Sequence, residues 1–96
     1  NYFKQFIFIL FMTDKKEKKW HVYILECQDG TYYTGVTNDL DKRMNIHATG
    51  KGSKYVNKKG FKQLLRSKHC KDKSDACKAE YAIKKLPRSE KLGWFD

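Results

Sequence analysis

A run of strand-forming residues, rich in Val, Tyr, Ile and Leu, covers residues 20–27 of the chain. The sequence Gln-Asp-Gly-Thr follows at residues 28–31, and its Asp-Gly pair is typical of the tight turn of a β-hairpin. Residues 32–36 are again dense in strand formers and predict the returning strand. The pattern therefore predicts two antiparallel strands joined by a short turn.

Two tyrosines are placed on this hairpin so that they can meet. Side chains alternate between the faces of a strand, so Tyr23 and Leu25 should face one way and Val22 and Ile24 the other. Tyr23 and Tyr33 can then share one surface across the hairpin. A single tyrosine is common in β-strands and usually only packs there. A chemical role for the two tyrosines therefore depends on which other residues lie beside them.

A helix is predicted directly after the hairpin. Asn38 or Asp39 can cap a helix that runs to about His47, with Leu40 and Met44 as a buried pair one turn apart. The apolar pair marks the side of the helix that should face the sheet.

Two cations lie at the edge of that buried side. At about 100° per residue, Arg43 and His47 are about 40° apart and flank Leu40. An arginine there offers a planar fork of donors to a phosphate, and a histidine offers a further donor or a proton. Each alone is also explained as a solvated helix cation.

The segment at residues 50–55, Gly-Lys-Gly-Ser-Lys-Tyr, predicts a flexible cationic loop closed by an aromatic ring. It lacks the Walker spacing, which excludes nucleotide hydrolysis of that type. A third strand is predicted at residues 61–67, with Leu64 and Leu65 as its apolar members. Lysines interleaved with aromatic residues suit a surface that follows phosphates, although solvation explains any one lysine as well. Candidate nucleic-acid contacts are Lys51, Lys54, Tyr55, Lys58 and Lys59.

A second helix is predicted from Ser74 to Leu86, because Pro87 cannot continue it. Glu80 lies only about 60° from Ile83 on the helical wheel, so its carboxylate should face inward with the apolar stripe. A buried carboxylate has to be paired or bind a metal. An ion pair with Arg or Lys is the structural alternative. The stripe consists of Ala76, Ala79, Ile83 and Leu86.

Composition narrows the class of partner. A chain of 96 residues suits one domain, and 21 Lys and Arg against 11 Asp and Glu give a net charge of +10. Such a surface attracts polyanions, so nucleic acid is the leading partner, with a functionally neutral basic surface as the alternative. The three cysteines form no C-x-x-C pair, which predicts neither a disulfide framework nor a zinc site. An intracellular location, cytoplasmic or nucleoid-associated, is expected.

We assign residues 1–19 to an N-terminal extension outside the core and residues 20–96 to the folded domain. The apolar run at residues 6–12 is shorter than the roughly 20 residues that cross a bilayer, so no membrane association is predicted. A charged stretch follows Met12, and one hypothesis is that the natural protein starts at this residue.

Taken in order, these residues resemble the GIY-YIG nuclease superfamily, and specifically its small stand-alone members of the YhbQ-like type. The resemblance runs from residue 20 to about residue 91. It implies an α/β (α+β) domain, a three-stranded antiparallel sheet flanked by helices, that cuts a phosphodiester with one bound Mg²⁺ or Mn²⁺ ion. The matching positions are Val22-Tyr23-Ile24-Leu25, Asp29-Gly30, Tyr33-Thr34-Gly35, Asp39-Leu40, Arg43, His47, Gly50-Lys51-Gly52, Lys54-Tyr55, Glu80 and Ile83-Lys84-Lys85-Leu86.

The resemblance also implies a role for each site residue. Tyr23 would be the general base or the phenol that orients the attacking water, with Tyr33 as its partner. Arg43 would stabilise the phosphorane and His47 would assist proton transfer. Glu80 would be the sole protein ligand of the metal.

The chain departs from the family pattern at three places. The first motif reads His21-Val22-Tyr23 instead of Gly-Ile-Tyr, and Thr34 replaces Ile in the second, but both tyrosines are kept. Leu92 stands near the place where some relatives have an Asn that supports the metal site.

The sequence therefore predicts a metal-dependent endonuclease that acts on DNA in repair or DNA processing. Single-stranded and structured DNA are its candidate substrates, and RNA remains open. One alternative is a nucleic-acid-binding module that no longer cuts. Another is a protein-interaction domain, for which the Phe-rich residues 1–12 are the only indication.

Overall fold

The computed structural model of this chain describes residues 19–96. The predicted extension at residues 1–19 therefore lies, apart from its last residue, outside the described residues. The same holds for the apolar run and for Met12. Within residues 19–96, no helix is long and apolar enough to span a membrane.

A three-stranded antiparallel sheet flanked by helices forms the fold, and the predicted α+β class is confirmed. Spatially the strand order is β2-β1-β3, so β1 pairs on both sides. The third strand continues two residues beyond its predicted end at residue 67. The strands are β1 (His21–Cys27), β2 (Tyr32–Thr37) and β3 (Phe61–His69).

The turn between β1 and β2 forms as the Asp-Gly pair predicts. Gly30 has a φ of +83°, a left-handed conformation that favours glycine. The Asp29 carboxylate accepts hydrogen bonds from the backbone and the hydroxyl of Thr31 at 3.1 and 2.6 Å. This turn sets the register that places Gly35 opposite Tyr23.

The two faces of β1 bury different clusters, in agreement with the predicted alternation. Val22 and Ile24 pack with Ala76 and Ile83, and all four are buried. Helix α3 (Lys73–Lys84) covers this face. The opposite face buries Tyr23, Leu25, Cys27 and Val56.

Two helices cover the Tyr23 face. Helix α1 (Leu40–Ala48) is capped by Asp39, which accepts a hydrogen bond from the Lys42 N–H at 3.2 Å, in agreement with the prediction. Helix α2 (Lys54–Lys59) lies where a loop was predicted in part. Its Ser53 cap and one buried residue, Val56, hold it in place. A single apolar residue in six gives no helical periodicity, so the pattern could not predict this helix.

Helix α3 differs from its prediction at both ends. Its cap is Asp72, whose carboxylate accepts a hydrogen bond from the Asp75 N–H at 2.8 Å, instead of Ser74. It ends at Lys84, two residues before the predicted end, because the residue preceding Pro87 avoids the helical conformation. Helix α4 (Arg88–Lys91) and a 3₁₀ turn (Leu92–Phe95) then pack Leu92 and its neighbours onto the Val22 face.

Candidate active site

Tyr23 lies at the centre of the central strand with no exposed surface. Its ring crosses the β2 residue opposite, Gly35. A methyl group at that position would lie 2.5 Å from the phenol oxygen and 2.7 Å from Cζ of the ring. The glycine of the second motif therefore gives the phenol the space that it occupies.

His47 reaches the same phenol from the last turn of α1. Its Nε2 lies 2.9 Å from Tyr23 Oη, and the imidazole is only 1% exposed. Burial, followed by the positive charge of Arg43, holds the pKa of His47 below its ordinary value. The imidazole is therefore neutral at pH 7, and the hydrogen bond joins a neutral histidine to a phenol. The sequence placed His47 at the edge of the buried stripe, whereas it is nearly fully buried.

The other ring nitrogen of His47 is sealed by Gly52. Its Nδ1 is buried without a hydrogen-bond partner, and a methyl group at Gly52 would lie 2.5 Å from it. Asn57 fixes this glycine, because its Oδ1 accepts from the Gly52 N–H at 3.2 Å and its Nδ2 donates to the Gly52 carbonyl at 3.3 Å. Sequence reasoning missed the role of Asn57, since no motif separates it from the other polar residues of α2.

Arg43 completes the polar part of the site from the same helix as His47. Its guanidinium is near the phenol of Tyr23, and its Nε is buried with no hydrogen-bond partner among residues 19–96. Burial raises the pKa of Tyr23 above its ordinary value, and the nearby guanidinium of Arg43 opposes this rise. An unpaired donor beside a phenol is a group that a phosphate oxygen can satisfy.

Tyr33 joins the site through its ring. Because Tyr33 is opposite Leu25 in the register, it meets Tyr23 diagonally, with ring centroids 6.4 Å apart. Its ring also lies 5.6 Å from that of His47 and 5.9 Å from that of Tyr55. The prediction that the two motif tyrosines share a surface is confirmed.

Glu80 lies on α3, and its predicted burial was too strong. The side chain is 26% exposed and pairs with Lys84 at 3.4 Å, one helical turn away. A position about 60° from the centre of the buried stripe lies on its flank, which leaves the carboxylate open to water. Its charge nevertheless contributes, as the smallest of several causes, to the raised pKa of Tyr23.

The residues predicted to contact nucleic acid differ in exposure and in ion pairing. Lys51, Lys54, Tyr55 and Lys58 are exposed on the loop and helix beside the site. Lys59 is held by an ion pair with Asp29 at 2.7 Å. The hydrogen bond from Lys59 is the main reason why the pKa of Asp29 lies well below its usual range. Lys59 is therefore a fixed cation, whereas the other three lysines are free to meet phosphates.

Known proteins resemble this chain in sequence. The family model of the GIY-YIG catalytic domain matches residues 19–92. The UPF0213 protein XAC3202 of Xanthomonas axonopodis pv. citri is 44% identical over 78 residues, which are 81% of this chain and 76% of that protein. The UPF0213 protein OB0043 of Oceanobacillus iheyensis is 47% identical over 76 residues, 79% of this chain and 88% of that protein.

A solved structure has the same fold. The solution NMR structure of protein EF2693 from E. faecalis superposes with a TM-score of 0.57 at 33% sequence identity. The match covers 82% of this chain and 84% of that one. The family resemblance that the motifs indicated is confirmed, and this chain belongs to the GIY-YIG family, together with the UPF0213 proteins.

Proposed function

We propose that this protein is a metal-dependent endonuclease that hydrolyses phosphodiester bonds in DNA. The observation that carries the proposal is the buried pair of Tyr23 and His47, with Oη and Nε2 2.9 Å apart and the unpaired Nε of Arg43 close by. A buried donor without a partner lowers stability when it serves packing alone. In a site that receives a phosphate, a phosphate oxygen would give the Nε of Arg43 its partner.

In this proposal Tyr23 acts as the base or as the group that orients the attacking water. A phenol with a raised pKa is protonated at pH 7, so the positive charge of Arg43 is needed to favour the deprotonated form. Neutral His47 is placed to exchange a proton with the phenol through Nε2. Because Tyr23 has no exposed surface, we expect DNA binding to shift the Arg43 or Tyr33 side chain before water reaches it.

Arg43 is the group suited to the phosphate. In-line attack on phosphorus places additional negative charge on the equatorial oxygens, and a guanidinium can donate to two of them at once. The charge of the guanidinium acts on both the phenol and the imidazole, since it opposes the raised pKa of Tyr23 and helps to lower the pKa of His47. The same side chain can therefore bind the phosphate and stabilise the phosphorane.

Glu80 fits one divalent ion of the Mg²⁺ type. Residues 19–96 bring together no group of three or more His, Cys, Asp or Glu side chains. The Glu80 carboxylate is partly open to water, and its ion-pair partner among residues 19–96 is the surface residue Lys84. Mg²⁺ accepts such a site, since one or two carboxylates, waters and substrate phosphates complete its octahedron. A bound Mg²⁺ or Mn²⁺ ion would neutralise charge on the phosphate and activate water.

The test is cleavage of end-labelled single-stranded, duplex and branched DNA, and of matched RNA, with Mg²⁺, Mn²⁺ or chelator. We expect DNA to be cut only with metal, leaving a 5′-phosphate and a 3′-hydroxyl. Tyr23→Phe should lower the rate by about 10²-fold or more. Tyr32→Phe is the matched control, because its ring packs on the opposite face of the sheet.

Two results would contradict the proposal. Cleavage of RNA alone would assign a different substrate. Salt-sensitive DNA binding by the wild type without cutting under any metal condition would instead identify a binding module on the same fold.

A further inference from the structure

Tyr55 lies at the solvent end of a series of aromatic rings that begins at the buried phenol. Its ring stacks on Tyr33 with centroids 5.9 Å apart and planes at 28°, and Tyr33 contacts Tyr23 and His47 in turn. Tyr55 is 41% exposed. The site therefore continues to the surface as an aromatic ring that still offers open area.

Fixed and free cations surround this ring. The Nζ of Lys59 is 5.2 Å from the centroid of the Tyr55 ring and is held there by Asp29. Lys54 and Lys58 are exposed on the same short helix. An exposed aromatic ring among lysines combines a stacking surface for a nucleobase with attraction for the phosphates on either side of it.

Stacking on the Tyr55 ring would also distinguish unpaired bases from paired ones. Inside a duplex both faces of a base are covered by neighbouring base pairs, so a tyrosine ring can stack only on a base that is single-stranded or flipped out. We propose that Tyr55 forms a subsite that stacks an unpaired nucleobase of DNA next to the phosphodiester held at Arg43. This inference rests on the proposed nuclease function and names its substrate class, a strand with an unpaired nucleotide at the site.

Tyr81 provides a matched comparison within the same chain. It is 65% exposed, and Lys85, four residues later, places its Nζ 4.2 Å from the centroid of the ring. Tyr55 and Lys59 have the same spacing. Tyr81 lies on α3, the helix that covers the opposite face of the sheet. A general affinity of DNA for exposed Tyr-Lys pairs would involve both tyrosines, whereas the proposed subsite involves only Tyr55.

The test measures binding in chelator, so that it does not depend on cutting. A single-stranded oligonucleotide carrying 2-aminopurine, the same sequence in a duplex and a matched RNA strand are titrated with wild type, Tyr55→Leu, Tyr55→Phe and Tyr81→Leu. Leucine keeps apolar cover over Tyr33 but removes the aromatic face. Circular dichroism and thermal melting verify that each variant is folded.

We expect wild type to bind the single strand more tightly than the duplex and to quench the 2-aminopurine fluorescence. Tyr55→Leu should weaken single-strand binding by about 5- to 100-fold and remove the quenching, with little effect on the duplex. Tyr55→Phe should restore both, and Tyr81→Leu should match wild type.

Three results would overturn the inference in distinguishable ways. An equal effect of Tyr55→Leu on both DNA forms, or no effect, removes the subsite and leaves the proposed nuclease standing. Tighter, Tyr55-dependent binding of the RNA strand transfers the subsite to RNA. Failure of wild type to bind any DNA contradicts the proposed function together with the subsite.

Discussion

At the scale of single residues, two glycines decide where the reactive side chains lie. Gly35 makes room for the phenol of Tyr23, and Gly52 closes against Nδ1 of His47. Each contact leaves no space for a side chain on the glycine. The hydrogen bond between Tyr23 and His47 is therefore positioned by backbone from β2 on one side and from the loop before α2 on the other.

Gly52→Ala should damage the site more than the fold. The added methyl group would lie 2.5 Å from His47 Nδ1, so the imidazole has to move away from Tyr23. We expect a loss of about 1–3 kcal/mol of the free energy of unfolding, typical of overpacking, and a larger loss of DNA cleavage. Gly93→Ala is the control, since nothing lies within 4 Å of its added methyl group. A wild-type rate in Gly52→Ala would contradict the role assigned to this contact.

The lowered pKa of His47 predicts a dependence of stability on pH. Burial is the main cause, so the unfolded chain binds a proton at this residue more readily than the folded one. The stabilisation is present above the unfolded pKa of about 6.5 and is lost as pH falls through the lower folded pKa. Urea unfolding between about pH 4 and 8 should show this loss in wild type. A slope of the same size in His47→Gln would assign it to other groups.

The sequence predicted Tyr23 and Tyr33 as one pair from the alternation of side chains in strands, and Arg43 and His47 as another from the turn of a helix. The resemblance to the GIY-YIG family then implied that the two pairs form one site. The sequence could not predict the hydrogen bonds between Asn57 and Gly52, because a contact across a loop produces no periodic pattern. The sequence also could not predict that Glu80 is partly exposed. A helical wheel gives the direction of a side chain around the helix axis, but not how closely the neighbouring sheet covers it.

At the scale of elements, the hairpin and α1 follow from local patterns, and α2 does not. A helix of six residues with one buried side chain has little stability of its own. It depends on Ser53, whose hydroxyl accepts from the Val56 N–H at 3.2 Å, and on the burial of Val56 beneath it. This small helix contributes to the site through Asn57, which is hydrogen-bonded to Gly52, and through Tyr55, which stacks on Tyr33.

Ser53→Ala should therefore loosen α2. We expect a decrease of about 0.5–2 kcal/mol in the free energy of unfolding, the usual effect of removing a helix cap. Hydrogen exchange should rise at the amides of α2 before it rises in β1. Ser89→Ala is a control, because Ser89 is exposed and the helix that contains it has no side-chain cap. Equal effects of the two substitutions would contradict the importance of the Ser53 cap.

At the scale of the whole molecule, the excess of positive charge is the main feature that favours binding to DNA. A net charge of +10 on 96 residues predicts DNA binding that weakens as the salt concentration rises, because the release of counterions from DNA then becomes less favourable. The predicted phosphate contacts Lys51, Lys54 and Lys58 lie on the Tyr23 side of the sheet, whereas Lys85 directly follows α3, the helix that covers the other side. Composition predicted the class of partner, but only the fold separates these two groups of lysines.

Lys58→Ala should reduce the salt dependence of DNA binding. Loss of one phosphate contact lowers the slope of log affinity against log salt by about 0.7–0.9. Lys85→Ala should leave the slope at the wild-type value. Fluorescence anisotropy over a range of NaCl concentrations measures both, and identical slopes for the two variants would mean that DNA does not distinguish the faces of the protein.

In the proposed mechanism the phenol of Tyr23 acts together with a metal ion held by Glu80, and the dependence of DNA cleavage on Mg²⁺ tests this pairing. The single-turnover rate of DNA cleavage is measured against Mg²⁺ concentration for wild type, Glu80→Gln and, as a matched control, Glu90→Gln, which changes an exposed carboxylate on α4. We expect Glu80→Gln to bind DNA normally and to cut it at least about 10²-fold more slowly at every Mg²⁺ concentration, while Glu90→Gln matches wild type. Cutting by Glu80→Gln at the wild-type rate and with the wild-type Mg²⁺ dependence would contradict the account.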